Sequence, residues 1–288
     1  MDGTRRAFLG KAFGTALGVT AAAALGSPAV AHDAERRGRR IPPGGIGMHL
    51  YTMRISLAQD FRGTLEQLAK IGYATVGVSG RHGHTAAEIR RMLDETRLKA
   101  VLEHVGYDTV TGSGLPQALD DVATLGGKWI VVPSLPAAMH TPAGFREAAR
   151  QFNRAGLAAR EAGLKVLFHN HGSDHAVVEG ENLFDILVRE TDPDLVGFEF
   201  DVYWGVKGGA DPATYFARHR RRFPALHVKD MAPDGDFADV GSGVLDFAAM
   251  FDEARSGGVK QWLVEHDRPA DPLATARNSY NHLSDLRY

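Results

Sequence analysis

The sequence predicts an α/β protein folded as one closed (β/α)8 barrel, the TIM barrel. Short apolar runs alternate eight times with longer amphipathic segments, the pattern of strands that are buried on both faces and return through helices. The 257 residues that follow the first 31 are a typical length for one such barrel. An open doubly wound sheet uses the same alternation, but the chain has no G-x-G-x-x-G opening a helix and no Walker loop. Eight units in this length therefore favour the closed barrel.

Residues 1–31 are interpreted as an export signal that is removed from the mature protein. The run TRRAFLG contains Arg5 and Arg6 and resembles the twin-arginine consensus, and a mildly apolar stretch follows at 12–25. An Ala-Val-Ala site for cleavage ends the segment at 29–31. The apolar stretch is shorter than the ~20 residues that span a bilayer, so we expect no stable membrane insertion. We expect the protein to be periplasmic or secreted, by twin-arginine export.

The composition of the chain excludes several classes of function. The formal net charge is -2, and removal of residues 1–31 takes away two net positive charges, which leaves about -4, so no nucleic acid partner is expected. Because the chain has no cysteine, any metal must be held by histidines and carboxylates. The Arg-rich residues 32–43, with two prolines, are expected to be a solvated linker, and 44–288 to be the single barrel domain.

Eight strands and eight helices are predicted from the spacing of the apolar residues. The strands are predicted at 46–51, 75–79, 99–104, 129–133, 165–169, 196–201, 225–228 and 261–265. The helices are predicted at 65–71, 85–96, 115–125, 145–162, 182–190, 212–219, 247–255 and 272–286. We expect helices to end in left-handed C-caps at Gly72, Gly126, Gly163 and Gly257.

Potential metal ligands stand at the ends of four successive predicted strands. The fifth strand ends in HNH at 169–171, the sixth in EFD at 199–201, the seventh in HVKD at 227–230 and the eighth in EHD at 265–267. In a (β/α)8 barrel these ends meet at one face, where such enzymes carry out their chemistry. Carboxylate and imidazole together suit a divalent ion such as Mn, Mg, Co, Fe or Zn. The four runs therefore predict a metal centre.

With these runs, the chain resembles the xylose isomerase-like TIM barrel superfamily and its sugar phosphate isomerase/epimerase family, in an exported subgroup with a twin-arginine signal. The resemblance extends from IGMHLYT at 46–52 to RPADP at 268–272. It implies a metal held by a carboxylate on strand 5, Asp on strand 6, His on strand 7 and Glu on strand 8. The matching positions are His169, Asp201, His227 and Glu265. His169 departs from the pattern, because that position is commonly Glu, and His171 competes for the same role.

The resemblance implies a metal-dependent isomerase or epimerase that acts on a keto sugar or related polyol through an enediolate. Epimerases of this superfamily tend to carry Asp-x-x-His on strand 6, whereas here Asp201 is followed three residues later by Trp204. Some relatives act on 3-keto glycosides by elimination, which makes a lyase the alternative. A non-catalytic sugar-binding barrel also stays open. A phosphodiesterase like the abasic-site endonucleases needs more metal ligands than these runs supply.

Side chains at the strand ends are candidates for proton transfer and for contact with a sugar-type substrate. The candidate catalytic residues are His171, Lys229 and Glu265. The candidate substrate-binding residues are His49, His104, Glu199 and Trp204, of which Trp204 offers a stacking surface. Simpler explanations remain open: core packing for His49, His104 and Trp204, and a surface ion pair with Asp230 for Lys229.

Two further expectations concern the rim of the barrel and its assembly. The glycine-rich run DVGSGVLDF at 239–247 follows strand 7, where Gly241 and Gly243 allow the backbone to approach a ligand closely. Phosphate binding there is only weakly indicated, because the run contains no Lys or Arg. Barrels of this family are often dimers, so the resemblance allows a homodimer.

Replacing Arg5 and Arg6 together by Lys should block export, because the adjacent arginines are what the twin-arginine route recognises. Cell fractionation and the mass of the processed chain measure the effect. The wild-type mature protein should begin near His32 and lie outside the cytoplasm. Unchanged processing and location in the double variant would show that residues 1–31 are not a twin-arginine signal.

Overall fold

The computed structural model of the protein describes residues 38–42 and 44–288. The predicted signal at 1–31 and most of the predicted linker at 32–43 lie outside the described residues. In the described part of that linker, the backbones of Arg39 and Tyr288 exchange hydrogen bonds of 3.0 and 3.1 Å, and Ile41 is buried in the core. This stretch therefore packs against the barrel. Within the described residues, no helix is both long and apolar enough to cross a membrane.

Eight parallel strands close into a barrel, as the sequence predicts. The strands are β1 Ile46–His49, β2 Thr75–Val78, β3 Lys99–His104, β4 Trp129–Val132, β5 Lys165–His169, β6 Val196–Asp201, β7 Ala225–Val228 and β8 Gln261–Val264. Each strand pairs with its neighbours in chain order, and β1 closes the barrel against β8. β1 is shorter than predicted because a 3₁₀ helix, Leu50–Met53, begins directly after it.

Helices surround the barrel and also occur in the loops at its C-terminal face. They are α1 Arg54–Gln59, α2 Phe61–Ile71, α3 Ala86–Thr96, α4 Tyr107–Thr111, α5 Leu115–Leu125, α6 Pro142–Glu161, α7 Leu183–Glu190, α8 Val202–Lys207, α9 Pro212–Arg218, α10 Phe247–Gly257 and α11 Pro272–Asp285. Three of these helices, α1, α4 and α8, are not among the predicted ones; they are short and follow β1, β3 and β6. Two small β-hairpins have strands of only two residues each. One follows β5, with strands Val177–Val178 and Glu181–Asn182, and the other follows β7, with strands Asp230–Met231 and Phe237–Ala238.

The predicted glycine caps at helix ends are confirmed at Gly72 and Gly126, whereas Gly163 follows the cap residue of α6, Ala162. Gly72, Gly126 and Gly163 have φ angles of 122°, 86° and 73°, a region that favours glycine. The prediction is wrong by one residue at the end of α10. Gly257 is the last residue of that helix, and Gly258, with φ 88°, caps it.

The alternation of side chains along the strands divides the barrel into an outer core and an inner column. On β5, Val166 and Phe168 pack outward under the helices, whereas Leu167 points into the barrel. The inner apolar cluster contains Leu102, Leu167, Ala225 and Leu263, which stand two residues before His104, His169, His227 and Glu265. The same strand face that carries the apolar floor therefore carries the polar residues above it.

Candidate functional site

A buried polar layer fills the C-terminal end of the barrel interior. Its side chains come from six of the eight strands or from the first residue beyond their ends, and nearly all are less than 5% exposed: His49, His104, His169, Glu199, Asp201, His227, Lys229 and Glu265. Gly77 makes room for this layer, because a Cβ there would lie 2.8 Å from the ring of His49. Such a layer of charge away from water requires internal compensation.

The four residues matched to the family's ligands come together in this layer. His169, Asp201, His227 and Glu265 each offer one ligand atom, and these atoms all lie within 4.8 Å of one another. Two atoms bound to one ion at ~2.0–2.6 Å are at most about 5 Å apart, so this spacing suits a shared divalent ion. A second group, His49, His104 and His227, meets the same distance limit but contains no carboxylate.

The hydrogen bond of His169 leaves its inner nitrogen free to bind a cation. Nδ1 lies 3.2 Å from the carbonyl oxygen of Pro133, and since a carbonyl only accepts, Nδ1 carries the proton. Nε2 then has a lone pair, and it faces Oδ2 of Asp201 at 3.4 Å. Two acceptors face each other, which favours a cation between them. A second partner that orients the ring is typical of metal-binding histidines.

Several polar atoms around His227 are buried without an aligned hydrogen bond. Nε2 of His227 lies 2.9 Å from Oε1 of Glu199, and Nδ1 lies 2.8 Å from Oε2 of Glu265. None of these four atoms has a hydrogen bond of acceptable geometry among the described residues. Each such atom costs ~1–3 kcal/mol when buried. A coordinated cation would satisfy the atoms on the Glu265 side, so the donor set fits a metal ion.

The charges of the layer also match a divalent ion. Glu199, Asp201 and Glu265 are buried carboxylates, and Lys229 is the one lysine or arginine in contact with them among the described residues. With neutral histidines the layer carries a net charge of about -2, which a divalent ion would cancel. Burial by itself would lower the pKa of His227, but Glu199 and Glu265 raise it well above its ordinary value. The layer thus attracts positive charge strongly.

Lys229 is buried and holds three carboxylates together. Its Nζ lies 3.0 Å from Oδ2 of Asp201, 2.8 Å from Oε2 of Glu265 and 2.8 Å from Oδ1 of Asp267. All three distances are those of ion pairs, so the ammonium group balances part of the charge of each carboxylate. The surface ion pair with Asp230, the simpler explanation from the sequence, is wrong.

Asp230 instead organises the glycine-rich loop. Its carboxylate accepts hydrogen bonds from the backbone N–H groups of Gly241, Gly243 and Leu245, at 2.9, 3.0 and 3.2 Å. These are the groups that a phosphate would need. The weakly indicated phosphate site at this loop is therefore not supported, because a carboxylate of the chain occupies it.

Asn170 positions Asp201, a role that the sequence did not reveal. Its side-chain oxygen accepts from the backbone N–H of Asp201 at 2.9 Å, and its amide nitrogen donates to the Asp201 carbonyl at 3.2 Å. The Asp201 side chain also caps α8 through the N–H of Trp204, at 2.9 Å. The only sequence signal was a polar residue between two strand-end histidines. The carboxylate is therefore fixed from both sides.

A cavity of about 330 Å³ opens onto the polar layer. Its lining includes His49, His104, His169, His171, Lys229 and Glu265, together with Tyr51 and Asp267, which the sequence analysis did not single out. Burial, and then His169, lowers the pKa of His171 to about 3, so this residue is neutral near pH 7. A neutral imidazole beside a buried cluster suits proton transfer.

Glu199 and Trp204 differ from the expectation that they line the same pocket. Glu199 is 0% exposed and lies beneath the cavity, with Oε2 2.6 Å from Nε2 of His104. These contacts with His104 and His227 suit a residue that positions the two rings, and Glu199 does not line the cavity. Trp204 lines a second cavity, of about 440 Å³, that shares His171 with the first.

Comparisons with known proteins agree with the fold. The sequence profile of a family described as xylose isomerase-like TIM barrel matches residues 65–286. The inosose dehydratase of Lacticaseibacillus casei is 24% identical, with 71% of this chain and 80% of the relative covered. That of Geobacillus kaustophilus is 22% identical, with 69% and 77% covered. The solved structure of a sugar phosphate isomerase/epimerase from Parabacteroides distasonis is 25% identical, with a TM-score of 0.75 over 84% of this chain and 94% of that one.

His169→Ala should weaken metal binding, whereas His171→Ala should retain the metal and lose turnover. The reason is that Nε2 of His169 faces Asp201, while the His171 ring lies one side chain further out, with ring centres 4.7 Å apart. Metal content of the purified variants, by elemental analysis, separates the two roles. The opposite pattern would exchange the roles assigned to the two histidines. Unchanged metal content and unchanged activity in both variants would show that neither of these histidines takes part in the site.

Glu199→Gln should lower metal affinity by ~10–100-fold, the usual effect of removing a group that orients a ligand. The amide removes a negative charge beside His227 and cannot hold His104 and His227 in the same protonation states. Chelator competition measures the affinity. Glu103→Gln is the matched control, because Glu103 is also buried on a strand but pairs with Arg81 at 2.6 Å. Equal effects of the two substitutions on metal affinity would contradict the positioning role.

Proposed function

The chain belongs to the xylose isomerase-like TIM barrel family, and from this premise we propose that it is a divalent-metal-dependent lyase. The reaction is a β-elimination on a keto sugar or cyclic keto polyol. The proposal is carried by one cavity whose lining combines two of the four clustered potential metal ligands, His169 and Glu265, with His104, which is bound to a carboxylate, and with His171.

The names of the relatives support elimination over isomerisation or epimerisation, which the sequence analysis placed first. Two relatives that match about 70% of this chain are named inosose dehydratases. An inosose is a cyclic keto polyol, and a dehydratase removes a molecule of water from its substrate. The missing histidine three residues after Asp201 points the same way, since the resemblance associates it with epimerases. The lyase alternative from the sequence therefore becomes the main proposal.

The reaction needs no oxidant or reductant. A base removes the proton on the carbon next to the ketone, the bond between the β carbon and its oxygen breaks, and the leaving oxygen takes up a proton. The products are an unsaturated ketone and water or an alcohol. A divalent ion held by His169, Asp201, His227 and Glu265 would stabilise the negative charge that develops on the ketone oxygen.

His104 is placed to accept the proton. Glu199 holds its Nε2 at 2.6 Å, so the other ring nitrogen is the one available to the cavity that His104 lines. Burial, and then His49, lowers the pKa of His104 to about 3, which keeps it neutral and able to accept near pH 7. A histidine oriented by a carboxylate is a common arrangement for a base.

His171 and Lys229 take different roles. His171 lines the cavity from β5 and, as a neutral imidazole, would hydrogen-bond the leaving oxygen and pass on to it the proton that His104 removes from the α carbon. Lys229 is a poor base, because three carboxylates surround its ammonium group; it holds the ligand carboxylates in place and lends positive charge to the site. Glu265 acts as a ligand.

We also propose which ions the site binds and where the protein acts. Two imidazole and two carboxylate donors favour Mn, Fe, Co or Zn over Mg, which prefers an all-oxygen set. Export by the twin-arginine route suits an enzyme that binds its metal before it leaves the cytoplasm. A small-molecule substrate is in keeping with a cavity of about 330 Å³.

Purified protein loaded in turn with each divalent ion should convert a keto polyol or keto sugar into a product lighter by one water or alcohol, detected by mass spectrometry. His104→Gln should lower kcat by ~10²–10⁴-fold with the metal retained, as expected for loss of a base. His84→Gln is the control, since His84 lies in the loop after β2 against Phe61 and outside the cavity. A product of unchanged mass would assign an isomerase or epimerase instead, and binding without turnover would assign a sugar-binding barrel.

A further inference from the structure

Two cavities on the C-terminal face of the barrel share His171 in their walls. The first, of about 330 Å³, is lined by part of the polar layer; the second, of about 440 Å³, is lined by residues that follow β4 and β5 and by Trp204 of α8. His171 is the residue that lines both. A substituent that extends from a ring in the first cavity past His171 therefore enters the second. Each cavity has the size of a small ligand pocket, ~300 Å³ or more.

The wall of the second cavity is built around a buried carboxylate. Asp174 is 2% exposed, and its Oδ2 accepts from the backbone N–H of His171 at 2.6 Å. Its Oδ1 lies 3.1 Å from Nε2 of His140, which is also 3.4 Å from the hydroxyl of Ser173. Capping the turn at Gly172–His175 accounts for the first contact. It does not account for the second, which fixes the His140 ring at the cavity wall.

An aromatic side chain forms the facing wall. Trp204 lies on α8, three residues after Asp201, and its ring centre lies 5.5 Å from that of His171. Sugar rings pack their apolar faces on such aromatic surfaces, while imidazole and hydroxyl groups bind their hydroxyls. The lining contains no Lys or Arg, so its chemistry suits a neutral hydroxylated ring and not a phosphate.

We propose that the second cavity is the subsite for the leaving group, and that this group is a hydroxylated ring such as a second sugar. The inference rests on the proposed elimination and names its leaving group. In this step the bond from the β carbon to the oxygen of the second ring breaks, and its electron pair stays on that oxygen. The proton that the base removes from the α carbon passes to this oxygen beside His171, and the ring departs as an alcohol, so atoms and electrons balance.

Two substrates with the same keto ring test the subsite: a keto disaccharide with its glycosidic oxygen β to the ketone, and the corresponding methyl glycoside. The metal-loaded wild-type enzyme should show a kcat/KM for the disaccharide about tenfold or more above that for the methyl glycoside. Ser134→Tyr should abolish most of this difference by filling the cavity. Ser134 is exposed, so the fold tolerates the larger side chain. His140→Gln should raise KM for the disaccharide several-fold and leave the methyl glycoside within about twofold.

Ser79→Ala is the matched control, because Ser79 lines the first cavity and should affect both substrates alike. Equal kcat/KM for both substrates in the wild type, or equal losses in Ser134→Tyr and Ser79→Ala, would overturn the subsite. If neither compound is turned over, the proposed elimination fails, and calorimetry then decides the subsite separately. Tighter binding of the disaccharide, lost in Ser134→Tyr, would uphold the second cavity as a ring site, and equal affinities would overturn it.

Discussion

The burial of three carboxylates in one layer of the barrel interior is the constraint on which the rest of the site depends. Two like charges 4 Å apart repel by ~4 kcal/mol at an effective dielectric constant of 20, and Glu199, Asp201 and Glu265 are all at most 4% exposed. The folded state can contain this layer only if positive charges balance the carboxylates. Lys229 supplies one unit through its contacts with Asp201 and Glu265, and the remainder is what a divalent ion would bring.

Groups that offer no ligand atom themselves hold the potential metal ligands in place from the side away from the ion. Asn170 fixes the backbone of Asp201, the Pro133 carbonyl fixes the proton of His169, and Glu199 lies behind His227. These supporting groups leave the cation-facing atoms as acceptors. His104 and His171 line the cavity, are neutral near pH 7 and lie outside the group of four potential ligands, so the proposed reaction divides proton transfer and charge stabilisation between different residues.

Elimination, isomerisation and epimerisation share their first step, so the donor set alone does not separate them. What differs is the fate of the group on the β carbon. In the proposed elimination, the second cavity beside His171, which is lined by Trp204 and His140, would receive the departing group. A change in these walls among related barrels would alter the leaving group while the metal centre stayed the same.

The sequence by itself determined the fold and most of the donor set. Eight apolar runs at barrel spacing predicted all eight strands, because period and turn residues are local properties, and family resemblance placed His169, Asp201, His227 and Glu265, which the structure brings within 4.8 Å. Only the tertiary structure decided how Glu199, Lys229, Asp230 and Asn170 are used. Each has a partner on another strand or loop, 28 to 36 residues away for Lys229 with Asp201 and Glu265. The pleat fixes which way a side chain points, but the closure of the barrel fixes what it meets there, and that pairing is not encoded in any single segment.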